Sequence, residues 1–167
     1  MGDDVVVVTW NEFARARRDL AETGRALLFR GPGIGLAFLA TVRKDGAPRL
    51  HPVCPVLSDD RLFVLITPGS PKRHDLERDG RYALQTFPQP RAGSDEFYIA
   101  GTAVPVSDRA VHDTVLRDAR HMADRSEILF ELLIDRVMHT RWENVLTPQM
   151  RPVHERWRAP AAATRGA

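Results

Sequence analysis

The chain has 167 residues, enough for one domain with a sizeable core. Apolar residues make up 43% and charged residues 28%, the balance of a globular chain and not of a disordered or membrane-embedded one. The net charge of +2 comes with no run of five like charges, so there is no basic arm, and the pI near 9.1 reflects arginine standing in for lysine, not a nucleic-acid surface.

The single cysteine, Cys54, rules out a disulfide within the chain and reads as a buried structural thiol in an apolar segment. Met-Gly-Asp-Asp is acidic where a secretion signal needs basic charge, and the longest apolar runs are too short to span a bilayer. The expectation is a cytoplasmic protein, with no membrane association and no nucleic-acid partner.

Thr9-Trp-Asn-Glu12 fits a capping box, and a helix is predicted over 10–29, stopped by Gly31-Pro32-Gly33. A strand follows over 35–43 and turns at Lys44-Asp45-Gly46, a hairpin signal because glycine reaches positive φ cheaply. The returning strand, 48–57, carries Pro48, Pro52 and Pro55, which argue for an edge, a bulge or a face that meets something other than a strand. Ser58-Asp59-Asp60 turns the chain again, and residues 62–67 form a strand apolar on both faces and hence buried.

Ser70-Pro71 reads as N-cap and first residue of a short helix to about Asp79, stopped by Gly80. Strands are predicted over 82–87 and 97–106, the second with Gly101 marking a bulge or close approach. Ser107-Asp108 caps a helix to about Met122, with Val111, Val115 and Leu116, then Ala119 and Met122, facing inward. Residues 127–142 are ambiguous between helix and strand; the β-branched and aromatic residues of their second half favour strand. The segment Pro152–Pro160 adds a short strand, and 161–167 reads as loose. Short antiparallel strands with a few helices suggest a small, mainly β barrel with peripheral helices, an α+β arrangement.

Two places carry candidate chemistry. The first is Thr67 to Lys72. Of the 24 basic residues only Lys44 and Lys72 are lysine, and Lys72 stands where a strand turns into a helix. A hydroxyl, the free amides of a first helical turn and a compact ammonium suit a phosphate monoester. The competing reading is an ordinary N-cap with a solvated lysine. The second is Arg49 and His51, which share one face of the proline-bearing strand and could meet a polar planar ligand, or simply face water. No histidine or cysteine spacing fits a metal site, and no nucleophile elbow is present. The glycines at 31, 33 and 35 precede a strand, whereas a phosphate-binding glycine loop follows one, so they read as a helix stop.

Taken in order, FLATVRKDGAPRLHPVCPVLSDDRLFVLI, then SPK, RYALQTF and FYIAGTAVPVSD, resemble the pyridoxamine 5'-phosphate oxidase-like, flavin-binding split β-barrel family, over roughly residues 35–145. The resemblance implies an antiparallel split barrel over 35–158, preceded by a helical segment over 1–34 and followed by a flexible tail over 159–167, all one domain. It implies a homodimer with FMN in the groove between subunits, or the deazaflavin coenzyme F-420 in its place, and an oxidoreductase acting on a small molecule. A non-catalytic flavin- or haem-binding protein on the same barrel is the alternative. By the same resemblance Ser70 and Lys72 hold the cofactor phosphate, and Arg49, His51 and Val53 lie against ring and phosphate. Ile66 and Thr67 complete the cofactor set, and no side chain is implied as catalytic. Pro71 stands where true pyridoxamine phosphate oxidases often carry arginine, so their substrate is not implied.

Overall fold

The structure is a computed structural model that describes residues 6–29, 35–87, 89, 92–120 and 123–161. Its helices are α1 (Trp10–Ala16), α2 (Arg18–Leu28), α3 (Pro71–Arg78) and α4 (Arg109–Asp118). Its strands are β1 (Ala37–Val42), β2 (Pro48–Val53), β3 (Val56–Ser58), β4 (Arg61–Ile66), β5 (Arg81–Thr86), β6 (Glu96–Pro105), β7 (Ile128–Glu143) and β8 (Arg151–Arg158).

Every strand pair is antiparallel, and the sheet runs β2-β1-β5-β6-β7-β4-β3 with β8 added to β7. β2 and β3 stand at opposite ends of the ladder and are joined only through Cys54-Pro55, so the wrapped sheet is split there instead of closed by hydrogen bonds. Proline is tolerated on β2 because that strand pairs with β1 alone. Alternate residues of each strand fill the interior: Ala37 and Leu39 of β1, Leu62, Val64 and Ile66 of β4, Leu84 of β5, and Phe130, Leu132 and Ile134 of β7 are all essentially inaccessible. No helix among the described residues is long and apolar enough to cross a membrane.

The expected capping box is present: Thr9 accepts from the Glu12 amide at 3.3 Å, and the Glu12 carboxylate accepts from the Thr9 amide at 2.7 Å. The helix expected over 10–29 is two helices instead. Arg17 leaves helical geometry at φ −144°, and its guanidinium bonds Asp19 and reaches Glu155 on β8. The break lets α1 press Trp10 and Phe13 into the core, with Phe13 at 5.0 Å from Trp157 of β8. Tertiary packing outweighs a continuous helical pattern here.

The strand expected over 48–57 is likewise two strands, broken at Cys54-Pro55 where the chain crosses the split. Residues 128–143 form one long strand, which settles the ambiguous segment, and β8 pairs with it along its whole length. Ala159, assigned by sequence to the tail, is buried and donates to the Asp135 carbonyl at 2.8 Å. The α4 helix stops at Asp118; Val115 and Ala119 are buried, Leu116 is half-buried, and Met122 lies outside the described residues, as do 162–167. Gly101 does mark a bulge. Ala100 pairs with Arg136 and Gly101 with Ile134, leaving Asp135 as the extra residue of β7.

Candidate functional site

The end of β4 and the start of α3 build one corner of the site. The Ser70 amide donates to the Thr67 carbonyl at 3.0 Å, so the turn between strand and helix is tight. Pro71 occupies the first helical position, where its missing N–H costs nothing. Arg73 is already engaged, donating to Glu77 at 2.9 Å and to the Pro68 carbonyl at 3.1 Å. Lys72 makes no hydrogen bond or ion pair among the described residues and faces a cavity of about 200 Å³.

That cavity sits beside the split of the barrel. Its walls are Pro52, Val53, Cys54, Pro55 and Val56 from the β2–β3 link, Leu65, Ile66 and Thr67 from β4, Lys72 from α3, and Asp118 and Ala119 from α4. Four of the seven candidate residues, Val53, Ile66, Thr67 and Lys72, therefore meet at one place. They come from three elements that only the wrapped sheet brings together.

The other three fare differently. Arg49 does not line this cavity and is engaged within the chain. Its Nε donates to the Asp75 carboxylate at 2.7 Å, and Thr41 donates to the same oxygen at 2.9 Å. Burial pushes the Asp75 carboxyl up, but the bonds from Arg49 and Thr41 outweigh it and hold the group below the usual carboxylate range. Arg49 is thus a structural partner that fastens α3 to β1 and β2, which a face assignment alone could not distinguish from ligand contact. Ser70 holds the N-cap position, yet its hydroxyl makes no capping bond and does not line the cavity.

His51 lies beside the site. Its Nε2 is buried with no hydrogen-bond partner among the described residues, and burial together with the nearby charges of Lys72 and Arg49 lowers its pKa, which favours the neutral ring. An orphaned ring nitrogen next to an unpaired lysine is the feature that most invites a polar ligand.

Two cavity residues were not anticipated in these roles. Cys54, expected to be buried, is half-exposed on the cavity wall; burial and the Glu127 charge still push its thiol up, which makes it a poor nucleophile. Glu127, just ahead of β7, also lines the cavity, and burial raises its carboxyl. No motif marks Glu127; it enters only because β4 pairs with β7 at Ile66 and Ile128.

The antiparallel sheet, split between β2 and β3 with a cavity at the split, defines a split β-barrel protein. The chain belongs to the pyridoxamine 5'-phosphate oxidase family, which it matches over residues 8–141. No curated protein matches it. Among solved structures, a haem-binding protein from Mycobacterium smegmatis is 17% identical with a TM-score of 0.58, over 82% of this chain and 58% of that one. This chain thus spans less than two thirds of that protein's length. The haem-storage protein HutZ from Vibrio cholerae is 15% identical with a TM-score of 0.55, over 71% and 89% of the two chains. General stress protein 26 from Bacillus anthracis is 19% identical with a TM-score of 0.52, over 67% and 87%. At these identities the likeness is one of fold alone.

Proposed function

We propose that the protein is a flavin-dependent oxidoreductase acting on a small molecule, with FMN held at the split of the barrel. The observation that carries the reading is the convergence of Lys72, unpaired among the described residues, with the apolar walls Val53 and Ile66 and the Thr67 hydroxyl, beside the orphaned His51 nitrogen. An ammonium with free donors suits a phosphate, and apolar walls suit a planar ring.

The residues present fit a phosphate-bearing flavin in part. Lys72 and Thr67 would hold the phosphate and Val53 and Ile66 one ring face, while a cavity of about 200 Å³ would enclose only a portion of such a ligand. The remainder would lie against a second subunit. Leu50 is 62% exposed, between the exposed Pro48 and Pro52, and Leu36 is 50% exposed, so an apolar strip runs beside the cavity for a second copy to cover. A homodimer with the cofactor at the interface is therefore part of the proposal.

Bound flavin supplies hydride or single-electron transfer. The protein's share is binding and positioning: Lys72 neutralises phosphate, Val53 and Ile66 exclude water from one ring face, and neutral His51 offers a donor or acceptor without adding charge. The deazaflavin coenzyme F-420 bears a phosphate too and competes for the same corner. Non-catalytic haem binding is a second reading, supported by the described roles of the Mycobacterium smegmatis and Vibrio cholerae proteins.

Titration of the purified protein with FMN, coenzyme F-420 and haem, followed by absorbance and fluorescence, tests the choice. Saturable FMN or F-420 binding near one per subunit, with turnover of reduced nicotinamide or of the reduced deazaflavin, supports the enzyme. Tight binding of haem alone refutes it.

A further inference from the structure

Counted by charge, the cavity is an odd place for an anion. One ammonium, Lys72, shares its walls with two carboxyl groups, Asp118 and Glu127. Asp118 is occupied, accepting from the Ser58 hydroxyl at 2.6 Å. Glu127 is not: it forms no ion pair among the described residues, and its one side-chain contact is a long one, from the Thr67 hydroxyl at 3.4 Å.

Its position is nonetheless fixed. The Glu127 amide donates to the Asp124 carbonyl at 3.2 Å, its carbonyl meets His112 Nε2 at 2.9 Å, and the next residue enters the β4–β7 ladder. The backbone thus brings the carboxyl to the cavity wall, near Lys72 but in no ion pair among the described residues. Around it stand Lys72 of α3, His112 and Asp118 of α4, Asp124 of the preceding turn, and Cys54 and Thr67 across the cavity.

We propose that Glu127 makes the hold of this cavity on an anionic ligand proton-linked, taking up a proton as the anion settles against Lys72. The inference rests on the reading of the cavity as a phosphate site. Placing a phosphate between one ammonium and an ionised, unpaired carboxylate brings like charges together in a half-buried space, where their repulsion is weakly screened. Protonating Glu127 removes the repulsion, and burial already favours its neutral form. The anion in turn raises the Glu127 pKa further, so binding and proton uptake reinforce each other.

The sign follows. Affinity for the anion rises as pH falls through the range in which Glu127 titrates, and the gain vanishes when Glu127 cannot ionise. The phosphate's own second ionisation, near pH ~6, acts in the opposite sense and is common to wild type and variant. The experiment is therefore a ratio. FMN dissociation constants are measured by flavin fluorescence for wild type and Glu127→Gln between pH 5 and 8, with riboflavin as the phosphate-free control.

The expected result is that Glu127→Gln binds FMN tighter than wild type at pH 8, by about tenfold for each unit by which the anion raises the Glu127 pKa. The ratio falls toward one as pH drops through the range in which Glu127 titrates, and riboflavin shows no such trend. A pH-independent ratio with FMN bound by both proteins overturns the proton linkage while leaving the cofactor reading intact. Weaker binding by Glu127→Gln at every pH also overturns it, since the carboxylate would then be a ligand acceptor. No FMN binding to either protein at any pH overturns both.

Discussion

Replacing Gly101 with alanine puts a single methyl where the structure has no room for one. A Cβ on Gly101 would lie 1.9 Å from the Leu133 carbonyl oxygen, 2.9 Å from that carbonyl carbon and 3.0 Å from the Asp135 amide nitrogen. All three are backbone atoms, so no side chain can swing aside. Restoring ordinary contact requires β6 and β7 to part by about 1.5 Å at the bulge, which breaks ladder hydrogen bonds on both sides of Asp135. Overpacking alone costs about 1–3 kcal/mol, and two ladder bonds left poorly made add about 1 kcal/mol each. The expected loss is therefore about 3–5 kcal/mol, which for a chain of this size lowers Tm by roughly 10 °C. Thermal unfolding followed by circular dichroism, with urea titration to check the slope, reads this directly. Gly46→Ala is the control: Gly46 has φ +84° and nothing within 4 Å, so its cost is the backbone strain alone, about 1 kcal/mol. A Gly101→Ala protein that melts within about 3 °C of wild type would refute the bulge as a close-packed point.

Lys72→Ala is expected to weaken FMN binding by about 1.5–3 kcal/mol through loss of a charge-assisted bond, while riboflavin affinity stays put; parallel losses for both ligands would take Lys72 off the phosphate. Arg49→Ala leaves the buried Asp75 with the Thr41 bond and a longer pairing to Arg78 at 3.5 Å, and is expected to cost about 1.5–3 kcal/mol in urea unfolding, more than removal of an exposed arginine such as Arg18. Because the folded Asp75 carboxyl is held below its unfolded value, its contribution is present above the unfolded pKa and is lost as pH falls through the folded one; Asp75→Asn should flatten wild-type acid unfolding below about pH 4. Tyr82→Phe removes a buried hydroxyl that has no hydrogen-bond partner among the described residues, so stability should hold or rise slightly; a loss above about 1 kcal/mol would mean that hydroxyl is bonded.

Local chemistry carried the element list. Thr9 and Glu12 announced the first helix, Asp45-Gly46 the first hairpin, Asp108 the cap of α4, and Gly101 the bulge, because each acts through neighbours within a few residues. The break at Arg17 is not legible locally because the packing it serves, Phe13 against Trp157 of β8, joins residues far apart in the chain. The strand expected over Pro152–Pro160 is present as β8, but its pairing with β7 is not legible, because an exposed, polar strand carries little periodic signal until its partner is known.

The corner where β4 passes into α3 is legible from the residues in order. A buried apolar strand, Thr67, a proline-started helix and a lone lysine are contiguous, and contiguity fixes their geometry. Which charged groups meet there was decided by the tertiary structure alone. Arg49 and His51 share a strand face and look equivalent on paper. Asp75, 26 residues on, claims Arg49 because a buried carboxylate demands a partner, and among the described residues no such partner reaches the His51 ring nitrogen. Glu127 and Lys72 face one cavity only because β4 and β7 pair across about 60 residues. Desolvation sets these outcomes, and desolvation is a property of the folded packing that no local pattern of residues contains.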